Sequence, residues 1–73
     1  MTKFSSRLRE LRNSKNLSQQ NLADIIGTSK SSINMYERGA REPGIKMIES
    51  FADYFNCSVD YLFGRTNNPK SNV

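Results

Sequence analysis

Residues 17–39 constrain the fold of this chain more than any other stretch. Leu22, Ile25 and Ile26 recur at the spacing of one helical face. Ser18, just ahead of them, is a helix N-cap, because its hydroxyl can accept an orphan backbone N–H at the helix start. Gly27 follows the run, where a sharp turn needs a residue tolerant of positive φ. Ser29 then caps a second helix, which turns Ile33 and Tyr36 inward and stops at Gly39, an ordinary residue for a left-handed helix end. Ala23 is small where the two helices come close. The stretch therefore predicts two short helices, residues 18–26 and 29–38, joined by a tight turn.

The flanks supply the remaining helices. Residues 1–16 read as a helix whose Phe4, Leu8 and Leu11 make one apolar stripe at i, i+4, i+7. Arg7, Arg9, Arg12 and Lys15 fall on its other faces. Residues 41–44 form a loop, in which Pro43 biases Glu42 away from the helical region. Residues 45–55 read as a fourth helix, with Ile45, Ile48, Phe51, Ala52 and Phe55 facing the core and Asn56 suited to a left-handed position after it. Ser58 caps a short fifth helix over residues 59–63, ended by Gly64. Val59 and Leu62 point inward on it, and Tyr61 and Phe63 point outward. Residues 65–73 are polar and aperiodic, as in a flexible tail or the start of a linker. The expected fold class is all-α: five helices in one domain over residues 1–64. A chain of 73 residues has room for one modest core.

Residues 18–38 thus have the form of a helix-turn-helix. The pattern Leu17-Ser18-Gln19-x-x-Leu22-Ala23-x-x-x-Gly27-x-Ser29-x-x-x-Ile33-x-x-Tyr36-Glu37-x-Gly39 resembles the Cro/C1-type (XRE) helix-turn-helix family. The resemblance continues through Arg41-Glu42-Pro43 and Val59-Asp60-Tyr61-Leu62-Phe63-Gly64, and it covers about residues 8–64. It implies a lambda-repressor-like, phage-repressor-like domain with double-stranded DNA as its partner. It also implies an ion pair between Arg12 and Glu37, partly buried between the first and third helices. Gln19 is implied to bond the DNA backbone and to brace Lys30, the first side chain of the second motif helix. Small relatives of this kind dimerise through the loop before helix four, the fifth helix and the C-terminus, which makes Tyr61 and Phe63 candidate homodimer contacts.

In this motif the second helix lies in the major groove. With Ile33 and Tyr36 inward, Lys30, Ser31, Asn34 and Met35 fall on the exposed side as base-contact candidates. Lys30 can donate to guanine O6 or N7, Asn34 can bridge adenine N6 and N7, and Met35 can touch a thymine methyl. Ser18 and Gln19 sit at a helix N-terminus, where unpaired N–H groups favour an anion. With Ser32, Arg38 and Arg41 they are the phosphate-contact candidates. One such domain binds weakly alone, and a two-fold dimer on a palindromic operator with half-sites a helical turn apart overcomes this.

Charge supports a polyanionic partner. The formal net charge is +4, and its distribution is uneven. Residues 1–46 carry nine basic and four acidic side chains, a net +5, while residues 47–73 carry two basic and three acidic, a net −1. A surface that contacts a nucleic-acid backbone has this character. With no histidine and one cysteine, Cys57, the chain can make no intramolecular disulfide and no multi-Cys/His zinc site. Cys57 reads as a small buried or half-buried hydrophobe. The usual acid–base and nucleophile sets are missing, so no enzyme activity, cofactor or metal is expected. No apolar run approaches the ~20 residues of a membrane span, and the first residues lack a signal-peptide core, so a cytoplasmic protein is expected. The expected function is a sequence-specific transcriptional regulator of repressor type. An antitoxin or a restriction–modification controller would use the same fold. A protein-interaction module without DNA contact is a further alternative, against which the polar, basic residues at 30, 31 and 34 argue.

Overall fold

Three of the five helices begin at a serine whose hydroxyl replaces a missing backbone partner. The computed structural model describes residues 3–70. Its helices are α1 (Phe4–Ser14), α2 (Gln19–Ile26), α3 (Lys30–Arg38), α4 (Ile45–Phe55) and α5 (Val59–Leu62), and no strand occurs among the described residues. Ser29 Oγ accepts from the Ser32 N–H at 3.0 Å, and Ser58 Oγ accepts from the Tyr61 N–H at 3.0 Å. At α2 the arrangement is reciprocal. Ser18 Oγ accepts from the Asn21 N–H at 2.9 Å, and the Ser18 N–H donates to Asn21 Oδ1 at 3.2 Å. This is a capping box with asparagine where glutamate or glutamine is usual. The helix bounds differ from those expected by a residue or two at the ends, where the caps stand just outside the hydrogen-bonded turns. Met1 and Thr2, expected in the first helix, lie outside the described residues, as do residues 71–73 of the expected tail.

The turn between α2 and α3 is set by Gly27, with φ 91° and its N–H bonded to the Ala23 carbonyl at 2.8 Å. An added Cβ there would meet nothing within 4 Å. The position therefore selects glycine for its backbone conformation and not for space.

The core draws on all five helices: Phe4 and Leu8, Leu22 and Ala23, Ile33 and Tyr36, Ile48, Phe51, Ala52 and Phe55, and Leu62. Phe51 lies at its centre. Its ring centroid is 6.0 Å from that of Phe4 and 6.2 Å from that of Tyr36, the latter edge-on. Such pairs add ~0.5–1.5 kcal/mol to what burial alone supplies.

Several expectations are corrected here. Ile25 is 47% exposed and Ile45 63% exposed. At roughly 100° per residue, Leu22, Ala23 and Ile26 share one face of α2, and burial of Ala23 turns that face away from Ile25. Ile45 opens α4, and burial on that helix begins one turn later, at Ile48. Arg7, placed by the sequence off the apolar stripe of the first helix, is buried all the same. Its Nη2 donates to Asn67 Oδ1 at 2.8 Å, and its guanidinium lies 4.0 Å from the centre of the Tyr61 ring. Tyr61 and Phe63, expected to point outward, are half-buried. Phe63 leans on Phe4 with ring centroids 6.2 Å apart, because it follows α5 and folds back over α1. Leu11 is half-buried at the edge of the core. Cys57 is likewise half-buried, and loss of solvent there pushes its thiol pKa up.

Of the stretch read as a tail, residues 65–70 are described. The Arg65 N–H donates to the Asp60 carbonyl at 2.9 Å, and the Ser58 N–H donates to the Pro69 carbonyl at 2.8 Å. With the Arg7–Asn67 bond these contacts hold the segment against α1 and α5. Among the described residues no helix is long and apolar enough to cross a membrane.

Candidate nucleic-acid interface

Helix α3 packs against α1 and α2 and leaves one long side uncovered. Its inward residues are Ile33, Tyr36 and Glu37. Lys30, Ser31 and Arg38 are exposed, and Ser32, Asn34 and Met35 are half-buried at the margins of the same face. Ser18 is exposed and Gln19 half-buried at the start of α2, and Arg41 is exposed in the loop beyond α3. These six candidate contact positions of α3, together with Gln19, line one surface. Arg41 stands past its C-terminal end.

Behind this surface Glu37 is nearly sealed, with 3% of its side chain exposed against 13% for Arg12. The guanidinium approaches side-on: Nε lies 2.6 Å from Oε2 and Nη2 lies 2.9 Å from Oε1. Arg12 Nη1 also donates to the Leu17 carbonyl at 2.7 Å. One arginine thus ties α1 to the approach of α2 and to α3. Its pKa is raised, chiefly by the hydrogen bond to Glu37 and further by the carboxylate charge, against an opposing loss of solvation. Two-pronged, charge-assisted bonds of this kind are stronger than neutral ones and fix geometry as well.

From Glu37 the hydrogen bonds continue outward. Gln19 Nε2 donates to Glu37 Oε1 at 3.2 Å, and Asn34 Nδ2 lies 3.5 Å from Gln19 Oε1, at the outer limit for such a bond. Arg38 Nε donates to Asn34 Oδ1 at 2.9 Å. Gln19 is therefore joined to Asn34 and Glu37 and not to Lys30, the side chain it was expected to brace. Asn34 stands one helical turn beyond Lys30, on the side of α3 that faces α2. The i,i+4 spacing of Asn34 and Arg38 was visible in the sequence; the link through Gln19 needed the crossing of α2 and α3. Among the described residues no group of three or more His, Cys, Asp or Glu is placed to hold a metal ion.

Two helices joined at a left-handed glycine, with the second buried along one side and polar along the other, constitute a helix-turn-helix. Residues 8–62 match the helix-turn-helix family HTH_3, and the chain belongs to this Cro/C1-type family. It is similar to the transcriptional regulator AnsR of Bacillus subtilis, with 44% identity over 59 residues, or 81% of this chain and 51% of AnsR. Among solved structures it is similar to the P22 c2 repressor in complex with a synthetic operator, with TM-score 0.78, 28% identity, and 82% of this chain and 91% of that chain covered. It is also similar to the restriction-modification controller protein C.AhdI of Aeromonas hydrophila, with TM-score 0.75, 39% identity, and 85% and 90% covered. The chain spans about half the length of the curated relatives it matches. The five helices form a lambda-repressor-like domain.

Proposed function

We propose that this chain is the DNA-binding domain of a sequence-specific transcriptional regulator, of repressor type, that inserts α3 into the major groove. The observation that carries the reading is the two-sided character of α3. Its rear is held by a buried, two-pronged ion pair to α1, and its free side presents Lys30, Ser31, Asn34 and Met35. Those four are assigned the base edges: Lys30 to guanine, Asn34 to adenine, Met35 to a thymine methyl, and Ser31 as a short adaptable partner. Ser18, Gln19, Ser32, Arg38 and Arg41 are assigned to phosphates, which fix register and supply most of the affinity. The domain works in the cytoplasm as a binding protein and not as an enzyme. Its operator is palindromic, read by a homodimer, with the exposed parts of Tyr61 and Phe63 at the dimer contact. The P22 c2 repressor, which shares this fold, has been solved in complex with a synthetic operator.

A second reading keeps the chemistry and changes the biology. The likeness to C.AhdI extends over 85% of this chain at 39% identity, which favours a restriction–modification controller as the alternative regulator. Selection from a random duplex library near physiological salt tests the shared claim. A recovered palindrome with half-sites about 10 bp apart, bound with an affinity that falls steeply with salt, supports the dimeric regulator. A single half-site keeps the function and rejects the dimer. No enrichment rejects sequence-specific binding and leaves a protein-interaction module as the reading.

A further inference from the structure

The hydrogen bonds between Glu37 and Arg38 run in one direction, and both ends of the run are chemically unambiguous. The buried Glu37 carboxylate, paired with Arg12, only accepts, and the Arg38 guanidinium only donates. Gln19 must therefore turn its NH2 group toward Glu37, which leaves Oε1 facing Asn34. Asn34 must then turn its own NH2 group toward Gln19, which leaves Oδ1 facing Arg38. Neither amide can be flipped without setting donor against donor or acceptor against acceptor. A free asparagine has two equivalent ways to present its amide, and this one has a single way.

We propose that Arg38 is a positioning residue that sets base choice through Asn34: together with Gln19 and Glu37 it holds the Asn34 amide in one orientation on the recognition surface. The proposal rests on the DNA reading above and changes the part Arg38 plays in it, from a phosphate contact alone to one that also acts on a neighbour. Each Asn34 polar atom has capacity left beyond these bonds. Oδ1 keeps a second lone pair and Nδ2 a second hydrogen, enough to meet adenine N6 and N7 together. A fixed amide meets that edge without first losing a rotational freedom, and it presents donor and acceptor in one order only.

Two substitutions separate positioning from charge. In Arg38→Gln the side-chain NH2 falls at the same place along the chain as the arginine Nε, so the donor to Asn34 is kept and the charge is lost. In Arg38→Lys the charge is kept, but a methylene stands where Nε was. Both changes are on an exposed helix side, and a thermal melt confirms that each variant folds. Binding is measured on duplexes that differ only at the base pair the parent protein selects opposite Asn34, over a range of salt. The order of the Asn34 side-chain amide is measured by NMR in the free protein.

The Lys variant should lose about fivefold in preference at that base pair, the low end of what one bidentate side chain discriminates, and its Asn34 amide should become more mobile. The Gln variant should retain the preference and the amide order while its affinity for all duplexes falls and its salt slope drops by about one. A Lys variant with parental preference and parental amide order would overturn the proposal. So would a Gln variant that loses preference as fully as the Lys variant. A parent protein with no preference at any base pair overturns the DNA reading itself, and the role of Arg38 in base choice with it.

Discussion

Arg12 and Glu37 meet side-on, guanidinium edge to carboxylate edge, at 2.6 and 2.9 Å, with only 3% of the Glu37 side chain left exposed. The pair sits between α1 and the back of α3 and ties the two helices together. Removing one partner of a buried pair leaves the other charge without compensation, at a cost of ~3–5 kcal/mol. Glu37→Ala and Arg12→Ala should both melt well below the parent protein. Their stability loss should be present without DNA, which separates it from any loss of affinity. Equal melting temperatures for Glu37→Ala and the parent would show that the pair contributes no net stability.

Lys30 is exposed at the first position of α3, the end that the proposed reading sets against base edges. Lys30→Ala should cost ~1–3 kcal/mol on the preferred duplex and relax choice at a single base pair. The two quantities come from competition binding against the four duplexes that differ at that pair. Unchanged affinity and preference would remove Lys30 from the readout.

Arg41 is exposed in the loop between α3 and α4, beyond the C-terminal end of α3. A contact there would be to the backbone, which is the same for every sequence. Arg41→Ala should weaken binding to preferred and random duplexes alike and reduce the salt slope by about one. A change in sequence preference instead would place Arg41 against a base edge.

Most of the fold was legible in the sequence because its signals are local. Ser18, Ser29 and Ser58 sit directly before apolar-periodic runs, and Gly27, Gly39 and Asn56 follow them. The capping and left-handed conformations found at these positions need no knowledge of the rest of the chain. Readings failed where the deciding partner is distant in sequence. Arg7 is buried because Tyr61 and Asn67, more than fifty residues away, enclose its guanidinium. Nothing in the spacing of α1 distinguishes it from Arg9, which remains exposed. Ile25 is exposed because the small Ala23 lets α2 lie close on that side, and periodicity weighted by hydrophobicity favours isoleucine over alanine. At the candidate site the outward positions of α3 followed from knowing which residues point inward. The link from Gln19 to Asn34 did not, since it depends on how α2 crosses α3.

Gly27 and Gly64 both have positive φ, 91° and 75°, but they differ in what surrounds them. A Cβ on Gly27 would meet nothing, whereas one on Gly64 would lie 2.7 Å from Lys3 Cβ. Gly27→Ala should carry only the left-handed backbone penalty of ~1–2 kcal/mol. Gly64→Ala adds a clash near the backbone of the residue before α1, so it should destabilise more. Chemical denaturation of the two variants gives the order directly, and a Gly27→Ala protein less stable than Gly64→Ala would contradict it.

Cys57 gives a dependence on pH whose sign can be worked out. Burial favours its neutral thiol, so its pKa is higher in the folded state than in the unfolded chain. Below the ordinary thiol value both states hold the proton, and the group adds no pH dependence. As pH rises through that value the unfolded chain ionises first, and stability falls until the folded thiol ionises too. Lysines and tyrosines also titrate in this range, so the parent protein must be compared with Cys57→Ala. The stability of the parent relative to Cys57→Ala should be constant at neutral pH and decline on the alkaline side. The same shift should make the native thiol react more slowly with a disulfide reagent near pH 8 than the thiol of the unfolded chain, because the thiolate is the reacting form. A relative stability that stays flat into alkaline pH, with equal thiol reactivity in both states, would mean that Cys57 is as well solvated in the folded protein as in the unfolded one.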